Sequence, residues 1–185
     1  MNRMESAKQY TDKLGVFSSL ALTDPEFAAI KERLIYGEVY AEEKLSAKLR
    51  ELIILVVATT NQTLNEVKYH TLAALRSDVK AEEIKEAVYH CAPYIGLAKA
   101  EAAVEAVNEV LTAQGIHLPL TSGQTVTEES RLSDGIAAQK AIFGDSIDTM
   151  RVAAPENQKN IQDYLSAYCF GVGAGRSRPY FVGSI

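Results

Sequence analysis

Cysteine is scarce in this 185-residue chain: there are two, Cys91 and Cys169, 78 positions apart. With no CxxC and no paired cysteine spacing, a disulfide framework, a cysteine-ligated zinc module and a dithiol redox centre are excluded. Long apolar runs are missing too. The longest, residues 52–58, is seven residues, against about 20 needed to cross a bilayer. Positive charge is in deficit. The 19 Lys+Arg against 24 Asp+Glu give a net charge of −5, which argues against a nucleic-acid surface. The opening Met1-Asn2-Arg3-Met4-Glu5 turns polar at once, unlike a secretory leader. The expectation is a soluble cytoplasmic protein with no membrane and no nucleic-acid partner.

What is present is a core-forming composition, 47% apolar and 23% charged, enough for one domain, or one and part of a second. Turn residues are thin before residue 115, and the pattern there is helical. Asp24-Pro25-Glu26 reads as a helix start, followed by an apolar face at Phe27, Ile30, Leu34 and Ile35. After a break near Glu43, Leu45, Leu49, Leu52, Ile53 and Val56 resume the period. Residues 52–58 could be a strand taken alone, but residues 46–51 lead in without a turn. The combined length predicts a helix buried on most of its surface. Further helices are predicted over 64–77, 81–91 and 97–114, the last rich in alanine and stopped by Gly115. No segment alternates with period two, so the class is all-α.

Residues 117–127, with Pro119, Ser122 and Gly123, read as a linker. A capping box at Thr125 and Glu128 predicts a helix towards Phe143, and another is predicted over 157–170. Their apolar faces (Ile136, Ile142, Phe143; Ile161, Leu165, Tyr168) have no core of their own. Residues 172–185 lose the helical period. Phe17/Phe143, Pro25-Glu26/Pro155-Glu156 and Tyr36-Gly37/Phe170-Gly171 recur at offsets of 126, 130 and 134, a partial repeat with two four-residue insertions. The division expected is a complete unit at 1–116, the linker, an incomplete second unit at 128–171 and an irregular tail.

Chemistry is concentrated in three segments: 49–53 with Arg50 and Glu51, 64–70 with Glu66 and His70, and 88–96 with His90, Cys91 and Tyr94. Glu66 and His70 share a helix face at i,i+4. Glu51 sits where an amphipathic helix turns wholly apolar, which would desolvate its carboxylate and favour the protonated form. Each residue also has a plain structural role open to it. Glu51 suits an ion pair with Arg50 or a lysine, Glu66 and His70 an exposed helix pair, His90 and Tyr94 packing, and Cys91 an inert core position. A metal held by Glu66, His70 and His90 fits no recognised spacing.

At these residues the chain resembles the carboxymuconolactone decarboxylase family, which includes the alkylhydroperoxidase D type proteins. The resemblance rests on Leu45-x-x-Lys48-x-Arg50-Glu51-Leu52-Ile53, His70-x-x-x-Ala74-Leu75, Ala81-Glu82-Glu83-Ile84-x-Glu86, His90-x-x-x-Tyr94-x-Gly96 and Glu109-Val110-Leu111. It implies a helical bundle of the alkylhydroperoxidase D-like type with two central antiparallel helices, assembled as a homo-oligomer, a trimer or hexamer. Thiol-active members carry CxxC three residues before the histidine. Thr63 and Glu66 stand at those positions here, so peroxide reduction through a disulfide relay is disfavoured. The implied function is cofactor-free decarboxylation of a small unsaturated lactone acid, with no cofactor and no metal. Glu51, Glu66 and His70 are the implied catalytic residues, and His90 and Tyr94 the substrate-binding ones. In that reading His70 donates the proton, Glu66 orients it, and Lys68 or Arg76 faces the substrate carboxylate. A non-catalytic assembly protein of the same fold is the alternative.

Overall fold

The structure is a computed structural model that describes residues 2–15, 20–42 and 44–172. Phe17, the break at Glu43 and nearly all of the expected tail lie outside them. Among the described residues the regular elements are all helical. The first three are α1 (Arg3–Leu14), α2 (Leu20–Thr23) and α3 (Pro25–Leu34), and α3 runs on into a π-helical turn at Ile35–Val39. Then come α4 (Ala47–Thr60), α5 (Leu64–Arg76), α6 (Ala81–Tyr89), α7 (Ala92–Ile95) and α8 (Leu97–Ala113). After the linker follow α9 (Arg131–Phe143), α10 (Ser146–Ala153) and α11 (Lys159–Tyr164), which passes into a π-helical stretch at Leu165–Val172. The class is all-α.

The core follows from the amphipathic period. Leu52, Leu55 and Ala58 of α4 meet Val67 and Ala74 of α5, Ile84 and Val88 of α6, and Ala103, Val107 and Leu111 of α8. Ala100, Ala103 and Ala106 are buried, letting α8 pack closely. The α4–α5 connection is three residues long. Thr63 N–H donates to Ala58 O at one end of the pair, and Glu51 meets His70 further along. Contacts whose residue numbers rise on one helix as they fall on the other make α4 and α5 an antiparallel hairpin. Ile116, just before the linker, and Leu120 within it also pack on this core.

The apolar face read on α3 lies open, and one sequence expectation, at α4, is corrected. Phe27, Ile30 and Leu34 are 58%, 63% and 53% exposed, and Ala28 is the buried residue of α3. Ile53 and Val57 of α4 also point outward, so that helix is buried along one side and not on most of its surface. The period marks which residues share a face. What covers the face is decided by neighbours, and among the described residues nothing covers these two stripes.

The helix after the linker starts at Arg131, three residues later than its predicted box. Thr127 and Ser130 exchange the reciprocal bonds, each backbone N–H donating to the other's hydroxyl at 3.1–3.2 Å. The 157–170 prediction resolves into a short 3₁₀ turn, α11 and the π-helical stretch, and α10 is an added helix. The apolar faces read as having no core of their own do not make this region's interior: Ile142, Phe143, Ile161 and Leu165 are exposed. The seam between α9 and the π-helical stretch is built from small residues, Gly135, Ala138, Ser166, Ala167 and Gly171. A Cβ on Gly135 would lie 1.8 Å from Ser166 O, and one on Gly171 2.1 Å from Arg131 O.

The same contact occurs near the N-terminus. A Cβ on Gly37, in the π-helical turn after α3, would lie 2.3 Å from the carbonyl of Arg3, the first residue of α1. Each aromatic–glycine pair of the sequence repeat thus sits in a π-helical segment against the first carbonyl of a preceding helix. Gly37→Ala is therefore expected to cost about 1–3 kcal/mol, the usual range for overpacking. The urea midpoint with unchanged slope measures it, and a loss below about 0.5 kcal/mol, within the range of neutral surface changes, would show that α1 yields.

Candidate functional site

The site is assembled by the α4–α5 hairpin and the segment after α3. Ser46 starts α4, its hydroxyl accepting from Leu49 N–H at 3.2 Å, and this sets Arg50 and Glu51 in the first two turns. Glu66 lies in the first turn of α5, with His70 one turn on. Pairing the helices brings the fully buried Glu51 Oε2 to 2.7 Å from His70 Nδ1. The other oxygen accepts from Tyr40 Oη at 2.9 Å. Arg50 stacks on the Tyr40 ring at 3.6 Å, with its Nε 3.9 Å from Glu51. With the Glu51 carboxylate accepting at Nδ1, His70 carries its proton there when neutral, and Nε2 becomes the exchanging atom. Nε2 lies 3.6 Å from Glu66 Oε2, and Glu66 Oε1 lies 2.5 Å from Lys31 Nζ.

Glu51, Glu66 and His70 thus lie side by side, but not in the pairing that their spacing favours. The buried Glu51 makes the hydrogen bond that orients His70; Glu66 is beyond hydrogen-bond reach. The expected cations are engaged elsewhere. Lys68 pairs with Glu109, and an Nη of Arg76 donates to Leu14 O at the end of α1. The cation at Glu66 is Lys31, and the one at Glu51 is Arg50. His90 and Tyr94 pair with each other, ring centroids 5.8 Å apart, and Tyr94 is 62% exposed. Partial burial, then the charge of the Cys169 sulfur, raises the Tyr94 hydroxyl above its ordinary range. A cavity of about 300 Å³ lies between α1 and α3, lined by Ala7, Thr11, Ala29 and Arg33 among others. Glu51, Glu66 and His70 do not line it.

Sequence reasoning missed Lys31 and Tyr40. The available signal was Tyr36 and Tyr40 at i,i+4, with Tyr69 beside His70. Tyr36 and Tyr69 share a short hydroxyl–hydroxyl bond, and the rings of Tyr10, Tyr36 and Tyr40 stack edge to face at 5.0–5.6 Å. Burial first, then the negative charge of Glu51, pushes the Tyr40 hydroxyl well above the usual tyrosine range. Burial, then its bond to Tyr69, does the same to Tyr36. Both remain protonated donors. An unfolded tyrosine loses its proton near pH 10, about where the free side chain titrates, while these two keep theirs when folded. Above that pH the native state holds more protons than the unfolded one, so stability falls as pH rises. The expected slope is about 1.4 kcal/mol per pH unit for each tyrosine. Urea midpoints between pH 8 and 11 measure it, and Tyr36→Phe should flatten the curve; an unaltered curve would assign the loss to other groups.

Cys91 is buried, its Sγ 3.3 Å from Ala87 O, and burial pushes its thiol up to about 11, which suits an inert core residue. Among the described residues no cluster of three His, Cys, Asp or Glu side chains is arranged to hold a metal. No helix among them is long and apolar enough to cross a membrane.

The sequence model of the carboxymuconolactone decarboxylase family matches residues 25–109. A 4-carboxymuconolactone decarboxylase of Acinetobacter baylyi is 30% identical over 91 residues, which are 49% of this chain and 68% of that protein. The chain belongs to the carboxymuconolactone decarboxylase family. No solved structure matches it. The family match begins at Pro25, about 20 residues before the motifs read from the sequence. It therefore takes in α3 with Lys31 and the turn carrying Tyr36 and Tyr40, as well as the Glu51–His70 hairpin.

Proposed function

We propose that this protein is a cofactor-free decarboxylase of the carboxymuconolactone type, acting on a small unsaturated lactone acid through His70. The observation that carries this reading is the buried Glu51 carboxylate bonded to Nδ1 of His70, which leaves Nε2 as the proton-transfer atom. The bond from the ring carbon to the carboxylate breaks, and CO₂ leaves. The electron pair moves through the conjugated system to the lactone carbonyl oxygen, giving a dienolate. The protonated Nε2 of His70 delivers a proton to carbon, the electrons return from the oxygen, and His70 takes a new proton from water. Glu51 steadies the imidazolium, and Tyr40 and Arg50 steady Glu51. His90 and Tyr94 are assigned to the rim of the substrate site.

The test is CO₂ release from 4-carboxymuconolactone by the purified chain. Turnover is the expected result. No release from this or other unsaturated lactone acids, under conditions where the Acinetobacter relative is active, would overturn the reading. A cytoplasmic location fits it.

A second reading, an assembly protein of the same fold without the reaction, is favoured by the exposed stripes on α3 and α4. Both readings include a homo-oligomer, a trimer or hexamer, with those stripes at subunit contacts. A stable monomer by light scattering at micromolar concentration would overturn that part. The recurrence of the Gly37 and Gly171 contacts supports taking 1–116 as a complete unit and 128–171 as an incomplete second one.

A further inference from the structure

We propose that Lys31 Nζ, beside His70 Nε2, forms a carboxylate-binding subsite, which the side chain of Glu66 fills until an acidic ligand displaces it. The inference rests on the reading of His70 as the proton-transfer group and adds how an acid is anchored beside it. The Glu66 carboxylate lies between the two nitrogens, one oxygen 2.5 Å from Lys31 and the other 3.6 Å from His70. One contact is a strong charged hydrogen bond and the other is too long to be one. Glu66 is thus held at one end only, and its side chain is 38% exposed, so it can turn into water. The cradle is less accessible than its occupant: Lys31 is 28% and His70 8% exposed at the side chain. Lys31 also stands 5.5 Å over the Tyr69 ring, an attraction that holds the ammonium in place when its carboxylate partner leaves.

A carboxylate entering this cradle exchanges one anion for another and leaves no buried charge unpaired, so the exchange avoids the main cost of binding an ion near a protein interior. Lys31 would stabilise the acid group it holds and oppose its loss. The anchored carboxylate is therefore a different group from the one that departs, and it fixes the rest of the ligand against Nε2.

Removing the charge of Glu66 should then improve binding of small acids, the opposite of what a substrate-contacting or purely structural glutamate would give. Calorimetry of the full chain with succinate reads this without turnover. Glu66→Gln is expected to bind succinate about tenfold more tightly than the unaltered protein, Lys31→Arg to retain binding, and Lys31→Met to lose it. Neutral succinamide should bind none of them. Equal affinity for Glu66→Gln and the unaltered protein, undiminished binding by Lys31→Met, or no binding by any variant would each overturn the subsite. A chain that binds succinate in this pattern yet releases no CO₂ from lactone acids would keep the subsite and sink the decarboxylase reading.

Discussion

Glu51→Gln should lower kcat for the lactone acid by roughly 10²–10⁴, the scale seen when the carboxylate that sets a catalytic histidine's tautomer is replaced by its amide. The substitution keeps the volume, and an amide oxygen still accepts from Tyr40. Towards His70, however, an amide N–H donates where the carboxylate accepted. Nδ1 then becomes the acceptor and the proton moves to Nε2, so the neutral ring presents the wrong tautomer and its protonated form loses the partner charge. The readout that separates this from a folding defect is the imidazole ¹⁵N spectrum, which should show the tautomer reversed while the urea midpoint stays within about 2 kcal/mol, below what removing one partner of a buried ion pair costs. Unchanged nitrogen shifts with a lowered rate would mean that Glu51 acts in some other way. Glu51→Ala goes further, stripping Tyr40 and His70 of a shared acceptor and Arg50 of a facing charge, and about 3–5 kcal/mol of stability should go with it.

His70→Ala should reduce kcat by on the order of 10² or more, the usual contribution of a positioned general acid, with a smaller change in KM. Imidazole added to this variant should restore part of the rate, because Glu51 and Tyr40 remain to orient a guest ring in the vacated space. A variant as active as the parent would remove His70 from the reaction. The loss should exceed that of Tyr40→Phe, since Tyr40 reaches the reacting atoms only through Glu51 and His70.

These two expectations rest on parts of the protein that became legible at different levels. Glu66 and His70 on one helix face, the apolar run beyond Glu51, the start at Pro25 and the stop before Gly115 all follow from contacts within four residues along the chain. Sequence alone therefore determined the helices over 64–77, 81–91 and 97–114, the all-α class and the short list containing Glu51, Glu66 and His70, but not α1 or α10. It also placed the aromatic–glycine repeat, because a glycine is required wherever two backbones touch, as at Gly37 and Gly171.

The tertiary structure decided how the site residues are paired. Sequence spacing favoured Glu66 as the partner of His70, since the two are four residues apart. The fold gave that place to Glu51, 19 residues away, because an antiparallel hairpin brings the interior faces of α4 and α5 together and leaves Glu66 at the edge with Lys31. The same holds for Tyr40 bonded to Glu51, for Arg76 turned to the end of α1, and for the outward stripe of α3. Periodicity says which side chains share a face, but the burial of that face, and the long-range partner a polar group finds on it, depend on how helices from distant parts of the chain dock.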